Sequence, residues 1–154
     1  MDQAKVQGFQ DLLLKFEGRI GPNSLWQGTF IILAVALVLN ILGIIIPGIG
    51  ILGLLLLYPV FCIYAKRFHD GGKPAIWTLA VLGGMIVVSF FVAPMVMLSL
   101  IAAGPIGILI GSFLVSAVIY CGAAFVVNQV VKADPGPNAY GEPVADAASP
   151  NPLA

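Results

Sequence analysis

The chain has 154 residues, of which 60% are hydrophobic and 9% are charged, and its mean hydropathy is +1.04. A soluble domain is usually about 45–50% apolar and about 25% charged, so this composition excludes an ordinary soluble globule and indicates an integral membrane protein. Seven Lys and Arg balance seven Asp and Glu, which leaves no basic excess for phosphates and argues against a nucleic-acid partner. The two cysteines, Cys62 and Cys121, form neither a disulfide framework nor a metal-ligand spacing.

The N-terminal segment, residues 1–16, has its apolar side chains at helical spacing. These side chains are Val6, Phe9, Leu13 and Phe16. The spacing predicts a short amphipathic helix on the membrane surface. The alternative is a loosely ordered segment that precedes the first span.

Two long stretches carry no charge at all, one between Arg19 and Lys66 and the other between Lys73 and Lys132. A charge at the bilayer centre costs about 2.5–3.5 kcal/mol, and one span needs about 20 apolar residues. Each stretch is long enough for two spans, and Pro or Gly residues interrupt each of them, at residues 47–48 and 104–105. The prediction is an all-α integral membrane bundle of four transmembrane helices. The spans cover residues 26–46, 49–65, 75–102 and 106–131, within one membrane domain of residues 1–132.

The cationic side chains predict the orientation. All seven lie before the first span, between the second and third, or after the fourth: Lys5, Lys15, Arg19, Lys66, Arg67, Lys73 and Lys132. The positive-inside rule places this side in the cytoplasm. We therefore expect a multi-pass protein of the bacterial inner membrane with both termini in the cytoplasm.

Residues 133–154 are rich in Pro, Ala, Gly and Asn. Such a segment has too few apolar residues to bury a core, so it predicts a disordered cytoplasmic tail. Within it, residues 135–143 have the composition of a specific turn.

Three polar stretches on the predicted cytoplasmic side resemble the domain of unknown function 805 family, which consists of small bacterial inner-membrane proteins. The matching residues are Phe16, Gly18, Arg19 and Trp26 in the first stretch, Arg67, His69, Asp70, Gly72, Lys73 and Trp77 in the second, and Asn138, Tyr140 and Gly141 in the third. The resemblance covers residues 16–143 and implies four spans with both ends in the cytoplasm, but no established activity. Pro22 stands where the family usually has a second arginine, which removes one partner for acids.

Six residues form the predicted cytoplasmic site, here called the polar cluster. They are Arg19, Lys66, Arg67, His69, Asp70 and Lys73. The structural interpretation places Arg67, His69 and Asp70 in a short turn between two helices, where Gly71-Gly72 reverses the backbone. Asp70 then caps the third span or pairs with Arg19 or Arg67. The functional interpretation is a proton-handling histidine or a headgroup contact.

No nucleophile, base and oxyanion donors occur together in the pattern, and no cofactor or metal motif is present, so we expect no enzyme activity, no cofactor and no metal. Inside the spans, Asn40 is expected to make an interhelical hydrogen bond. Small residues on the fourth span form a helix-packing ridge, directed within the bundle or against another subunit. These residues are Gly107, Gly111, Ser112 and Ser116.

The leading functional hypothesis is a non-enzymatic membrane protein that binds lipid headgroups or a protein partner through the polar cluster. The alternative is a small oligomeric channel or transporter lined by Asn40 and the serines. The expected partners are therefore membrane lipids, with a protein partner or further copies of the chain as additional candidates.

Overall fold

The computed structural model describes residues 8–46 and 48–144. It is 78% helical, and within the described residues the only β pairing is an isolated bridge between Asn138 and Gly141. The helices are α1 (Phe9–Leu14), α2 (Pro22–Ile45), α3 (Leu57–Asp70), α4 (Trp77–Leu100) and α5 (Gly104–Val130). Two 3-10 segments, Ile49–Leu56 and Ile101–Ala103, lead into α3 and α5. The predicted all-α class is confirmed.

Three helical stretches of the described chain are long and apolar enough to cross a membrane: Pro22–Ile45, Ile51–Asp70 and Trp77–Val130. The last has 54 residues and contains both α4 and α5, which pack against each other. The chain is therefore a helical protein whose helices have the length and hydropathy to cross a membrane, as its composition indicates.

Several helix boundaries differ from those predicted, among them the start of the second span, where Ile49–Leu56 is a 3-10 segment and α3 begins at Leu57. Two other differences affect the polar cluster. The helix α2 begins at Pro22 rather than at residue 26, because a proline in the first turn lacks only an N–H that has no partner there and already has the helical φ. The helix α3 continues to Asp70, so Arg67, His69 and Asp70 form its last turn and do not lie in a loop. The reversal follows at Gly71-Gly72, where Gly72 has a φ of +68°.

The helices α2 and α3 run antiparallel, and so do α4 and α5. The amide of Ile20, just before α2, donates to the carbonyl of Lys66 at the end of α3, and a Cβ at Gly28 would lie 2.9 Å from the Ile63 side chain. At the opposite end, Gly111 near the start of α5 faces Leu100 at the end of α4, with 3.2 Å between a Cβ at 111 and Leu100 Cδ1. Glycine at these two positions lets the helix axes approach closely.

Most of the buried core lies toward the end of the bundle that carries the polar cluster, here called the polar end. The core side chains come from every helix but α4, and are Leu12, Leu13, Ile20, Leu25, Ile32, Val60, Ile63, Tyr64, Phe68, Ala124, Val127 and Val131. Large apolar side chains elsewhere are exposed, including Phe90, Met95 and Leu98 on α4. Helices with apolar surface all round suit a lipid environment.

The helix α1 is short, and only part of its predicted apolar face is buried. Leu12 and Leu13 are buried where α1 packs on α3, whereas Phe9 and Phe16 are exposed. Val6 lies outside the described residues. The exposed Lys15 ammonium lies 2.5 Å from the Asp11 carboxylate, and the hydrogen bond between them raises the pKa of Lys15. The location of α1 on a membrane surface stays a prediction.

Candidate functional site

The carboxylate of Asp70 is the centre of the polar cluster. It is fully buried at the end of α3, and it is the only acid between Glu17 and Asp134. Its Oδ1 accepts from Arg19 Nε at 3.2 Å and from Arg19 Nη2 at 3.1 Å. Its Oδ2 accepts from Arg67 Nη1 at 2.5 Å. The predicted pairing of Asp70 with the arginines is therefore what the structure contains.

The guanidinium of Arg19 also holds the segment that follows α5. We call residues 133–144 the tail segment. Arg19 Nη1 donates to the carbonyl oxygens of Gly136 at 2.8 Å and Gly141 at 3.3 Å, and Nη2 donates to that of Asp134 at 2.5 Å. The tail segment also bonds to α3 directly, since the Asp134 amide donates to the Asp70 carbonyl at 2.8 Å. One side chain thus joins the start of α2, the end of α3 and the tail segment.

The guanidinium of Arg67 joins α3 to α5. Its Nε donates to Asn128 Oδ1 at 2.9 Å, and its Nη2 donates to the Val131 carbonyl at 2.6 Å. The latter bond satisfies a carbonyl at the C-terminal end of α5, which has no partner inside the helix. Arg67 is buried like Arg19.

His69 joins the first and third motifs. Its Nδ1 lies 3.1 Å from the Gly18 carbonyl oxygen, and because a carbonyl only accepts, Nδ1 is the donor and carries the proton. Its ring stacks on the ring of Tyr140, with centroids 3.9 Å apart. Asn138 Nδ2 donates to the His69 carbonyl at 3.0 Å. The three polar stretches noted in the sequence therefore converge on one site.

The other two members of the polar cluster lie apart from Asp70. Lys66 is buried and donates through Nζ to the carbonyls of Asp11 and Leu12. These carbonyls belong to the last turn of α1, where a cation satisfies unpaired acceptors and suits the helix dipole. Lys73 is half-buried, in the connection between α3 and α4.

The tail segment is where the structure differs most from the sequence prediction. Disorder was expected from residue 133, but residues 133–144 lie against the polar cluster through the bonds of Arg19, Asp70 and His69 described above. The specific turn expected at 135–143 is present, and in it Asn138 and Gly141 exchange two backbone hydrogen bonds of 3.1 Å. The tail was mispredicted because it is held by polar contacts to residues far away in the chain rather than by apolar burial. Residues 145–154 lie outside the described part of the chain.

The electrostatics of the site favour a structural role. Two buried guanidinium groups surround one buried carboxylate. Their other hydrogen bonds go to backbone carbonyls and, from Arg67, to the side-chain oxygen of Asn128. Burying such charges in a protein interior requires free energy for their desolvation. Removing one partner of a buried ion pair destabilises a protein by about 3–5 kcal/mol, because the other charge stays buried and unpaired. The site is a closed network, and its buried groups already have their partners within the chain.

A family model described as "Protein of unknown function (DUF805)" matches residues 13–142. The chain belongs to the DUF805 family. The matched range contains all three polar stretches, so the residues that carry the earlier resemblance are the ones that build the network. No curated protein and no solved structure is similar to the chain.

Three polar residues in the apolar helices of this DUF805 family member bond within their own helices. Asn40 Nδ2 donates to the Ala36 carbonyl at 2.7 Å, and among the described residues Asn40 does not form the expected interhelical bond. The Ser112 and Ser116 hydroxyls likewise donate to carbonyls of α5, because carbonyls three or four residues earlier are within reach. Asn40, Ser112 and Ser116 nevertheless line the same cavity of about 490 Å³ between α2 and α5.

The predicted ridge of small residues on α5 divides into two parts. Gly107 and Gly111 are buried against the end of α4, and a Cβ at Gly107 would overlap the Leu100 carbonyl oxygen. The two serines face the cavity instead. Toward the polar end, α4 and α5 are separated by an apolar groove of about 750 Å³, which Lys73 and Trp77 also line.

No three His, Cys, Asp or Glu side chains come together as a metal site in the described ranges.

Proposed function

We propose that this DUF805 family member is a four-span, non-enzymatic protein of the bacterial inner membrane that binds anionic lipid headgroups at its cytoplasmic face. Four spans are supported by the 54-residue stretch Trp77–Val130. A continuous helix of that length would extend about 81 Å, far more than the roughly 30 Å hydrocarbon core of a bilayer. A 3-10 turn, Ile101–Ala103, divides it into two helices that pack on each other.

The orientation rests on where the charges lie. With four spans, Arg19, Lys73 and Lys132 fall on one side of the membrane. The connections at the other side, around residues 47–48 and 101–104, contain no charged residue. The positive-inside rule then places the polar end, and with it both termini, in the cytoplasm.

Headgroup binding rests on the lysines that the network leaves accessible. Lys132 is exposed and Lys73 is half-buried, whereas Arg19, Lys66 and Arg67 are buried. The backbone around the two accessible lysines is adjacent, since a Cβ at Gly71 would lie 3.0 Å from the Lys132 carbonyl oxygen. Two cations side by side at a membrane surface attract anionic lipid, with about 1 kcal/mol per Lys or Arg near the surface. The adjacency of the backbone segments that carry Lys73 and Lys132 is the observation that carries the proposal.

A non-enzymatic role is supported by the hydrogen bonds that Asp70 and His69 make. Both oxygens of Asp70 accept from arginines, and His69 Nδ1 donates to a backbone carbonyl. Neither group is hydrogen-bonded to a nucleophilic side chain of the described residues, as the base of a nucleophile–base pair would be.

Cysteine accessibility tests the topology. In a background with Cys62→Ala and Cys121→Ala, single cysteines replace Pro74 and Lys132, which are exposed. Four spans place both cysteines on the same side, so an impermeant thiol reagent should label both only after the inner membrane is opened. Labelling of one of the two in intact cells would mean that Trp77–Val130 crosses once, and labelling of both would reverse the orientation.

Lipid titration tests the binding. The purified protein in neutral detergent should melt at a higher temperature with phosphatidylglycerol than with phosphatidylcholine, because a ligand stabilises the state that binds it. The difference should shrink in high salt and in the double variant Lys73→Gln/Lys132→Gln. Lys15→Gln is the matched control, since Lys15 is exposed but is paired with Asp11. Equal stabilisation by the two lipids would contradict the proposal.

A pathway for a small polar solute is the second candidate, and the cavity between α2 and α5 favours it. The cavity gathers Asn40, Ser112, Ser116 and Tyr120, and no charged side chain of the described residues lines it. A flux assay in liposomes tests this candidate: solute flux that Asn40→Leu abolishes would support it, and flux no greater than in empty liposomes would eliminate it.

A further inference from the structure

The apolar groove between α4 and α5 runs lengthwise along both helices. Its walls are side chains from residues 77–88 of α4 and 118–130 of α5. Buried side chains form its floor, namely Phe68, Ile119, Val127 and Val131. Val88, Val118 and Val126 on its walls are exposed, so the groove is open along the side of the bundle.

The surroundings of the glycines show where the two helices touch and where space lies between them. At the far end they are in close contact, since a Cβ at Gly107 would overlap α4. Near the polar end, Gly84 and Gly122 line the groove, and a Cβ at either position would have no neighbour within 4 Å. The helix pair is therefore a wedge, closed at the turn and open toward Lys73.

We propose that this groove holds one acyl chain of an anionic phospholipid whose phosphate is bound by Lys73. The inference rests on the proposed function, and it deepens that function by naming the site and the kind of lipid. The stretch of α4 along the groove, residues 77–88, is about 17 Å long at 1.5 Å per residue. One leaflet contributes about half of the roughly 30 Å hydrocarbon core, so the groove matches the length of one leaflet.

Charge selects the lipid. Of the residues that the structure describes, Lys73 is the one with a charged side chain that lines the groove, and it lies at the end where α4 begins. Trp77 lies beside it and is exposed, as aromatic side chains are at the level of the headgroups. An acyl chain in the groove therefore brings its phosphate to the Lys73 ammonium. An anionic headgroup has a net negative charge that the ammonium attracts. In a zwitterionic headgroup, the headgroup's own cation cancels the charge of the phosphate.

The test fills the groove without disturbing its walls. Gly84→Leu and Gly122→Leu each place a side chain in the open space, and two variants on different helices guard against a folding defect in either. Gly83→Leu is the matched control, because its Cβ also has no neighbour within 4 Å but Gly83 does not line the groove. Each variant, together with Lys73→Gln, is purified, delipidated and titrated with phosphatidylglycerol, and binding is measured by native mass spectrometry.

The wild-type protein and Gly83→Leu should bind one phosphatidylglycerol with equal affinity. Each groove-filling variant should lose about tenfold or more in affinity, equivalent to about 1.4 kcal/mol, and Lys73→Gln should lose the preference over phosphatidylcholine. Unchanged binding in both groove-filling variants would overturn this inference. The proposed function would then still stand if Lys73→Gln/Lys132→Gln abolished the lipid preference, and it would fail if no lysine variant changed it. Loss of self-association in the groove-filling variants with unchanged lipid binding would assign the groove to a second copy of the chain and would also overturn the inference.

Discussion

The rings of His69 and Tyr140 lie parallel, with an interplanar angle of 2° and centroids 3.9 Å apart. One ring belongs to the last turn of α3 and the other to the tail segment. A pair of stacked aromatic rings contributes about 0.5–1.5 kcal/mol beyond its buried area. The stack therefore adds to the bonds from Arg19 and Asn138 in holding the tail segment on the polar end of the bundle.

Tyr140→Ala should loosen the tail segment, because it removes the stack on His69. Hydrogen exchange should become faster at the amides of Asp134 and Gly141, which are bonded to Asp70 and Asn138. Tyr140→Phe is the control, since it keeps a ring for stacking and should exchange at the wild-type rate. If the alanine variant exchanged as slowly as the phenylalanine variant, the stack would have no part in holding the tail segment.

Gly107→Ala should destabilise the protein, because the added methyl group would overlap the backbone of Leu100. Overpacking of this kind typically costs about 1–3 kcal/mol, which should appear as a lower melting temperature in detergent. Gly122→Ala on the same helix should leave the melting temperature unchanged or raise it slightly, since its Cβ meets open space and alanine favours the helix. Equal melting temperatures for the two variants would mean that α4 and α5 do not make this close contact.

Thr78→Val should stabilise the protein. The Thr78 hydroxyl is buried and has no hydrogen-bond partner within the described residues, and such an unsatisfied group costs about 1–3 kcal/mol. Thr29→Val is the matched control, because the equally buried Thr29 hydroxyl donates to the Leu25 carbonyl at 2.8 Å. Thermal melts should show a gain for the first variant only. A loss of stability in Thr78→Val would mean that the hydroxyl has a partner in the folded protein.

The helical architecture could be predicted because a bilayer permits few solutions. Uncharged stretches and Pro or Gly breaks locate the apolar helices within a few residues. The exact ends of the helices were harder to predict. Pro22 extends α2 into polar sequence through its backbone geometry, and tertiary hydrogen bonds accompany the extension of α3 to Asp70. Nothing in the spacing near residue 66 indicates that α3 continues one turn further before Gly71-Gly72.

The candidate partners of Asp70 could be proposed from the sequence, but the sequence did not decide between Arg19 and Arg67. Asp70 is the only acid near the predicted second and third spans, so Arg19 and Arg67 were both plausible partners, and the structure uses both. The role of the tail segment could not be inferred, because most of its hydrogen bonds to the bundle are made by backbone groups, which every residue has. The motif Asn138-Ala139-Tyr140-Gly141 indicated a turn but not the surface on which the turn rests.

The central claim is that the polar stretches form one interdependent network around Asp70, and a double-mutant cycle between Arg19 and Asp70 tests it most directly. The free energy of unfolding is measured in mixed micelles for the wild-type protein, Arg19→Ala, Asp70→Ala and the double variant. Each single change should be destabilising, since Asp70→Ala leaves two buried arginines without their acid and Arg19→Ala removes one of the two cations that Asp70 pairs with. The double variant should be more stable than the sum of the single effects indicates, with a coupling of about 1–3 kcal/mol, as expected for residues in direct contact. Additivity within error would contradict the network and leave Arg19 and Asp70 as independent contributors to the fold.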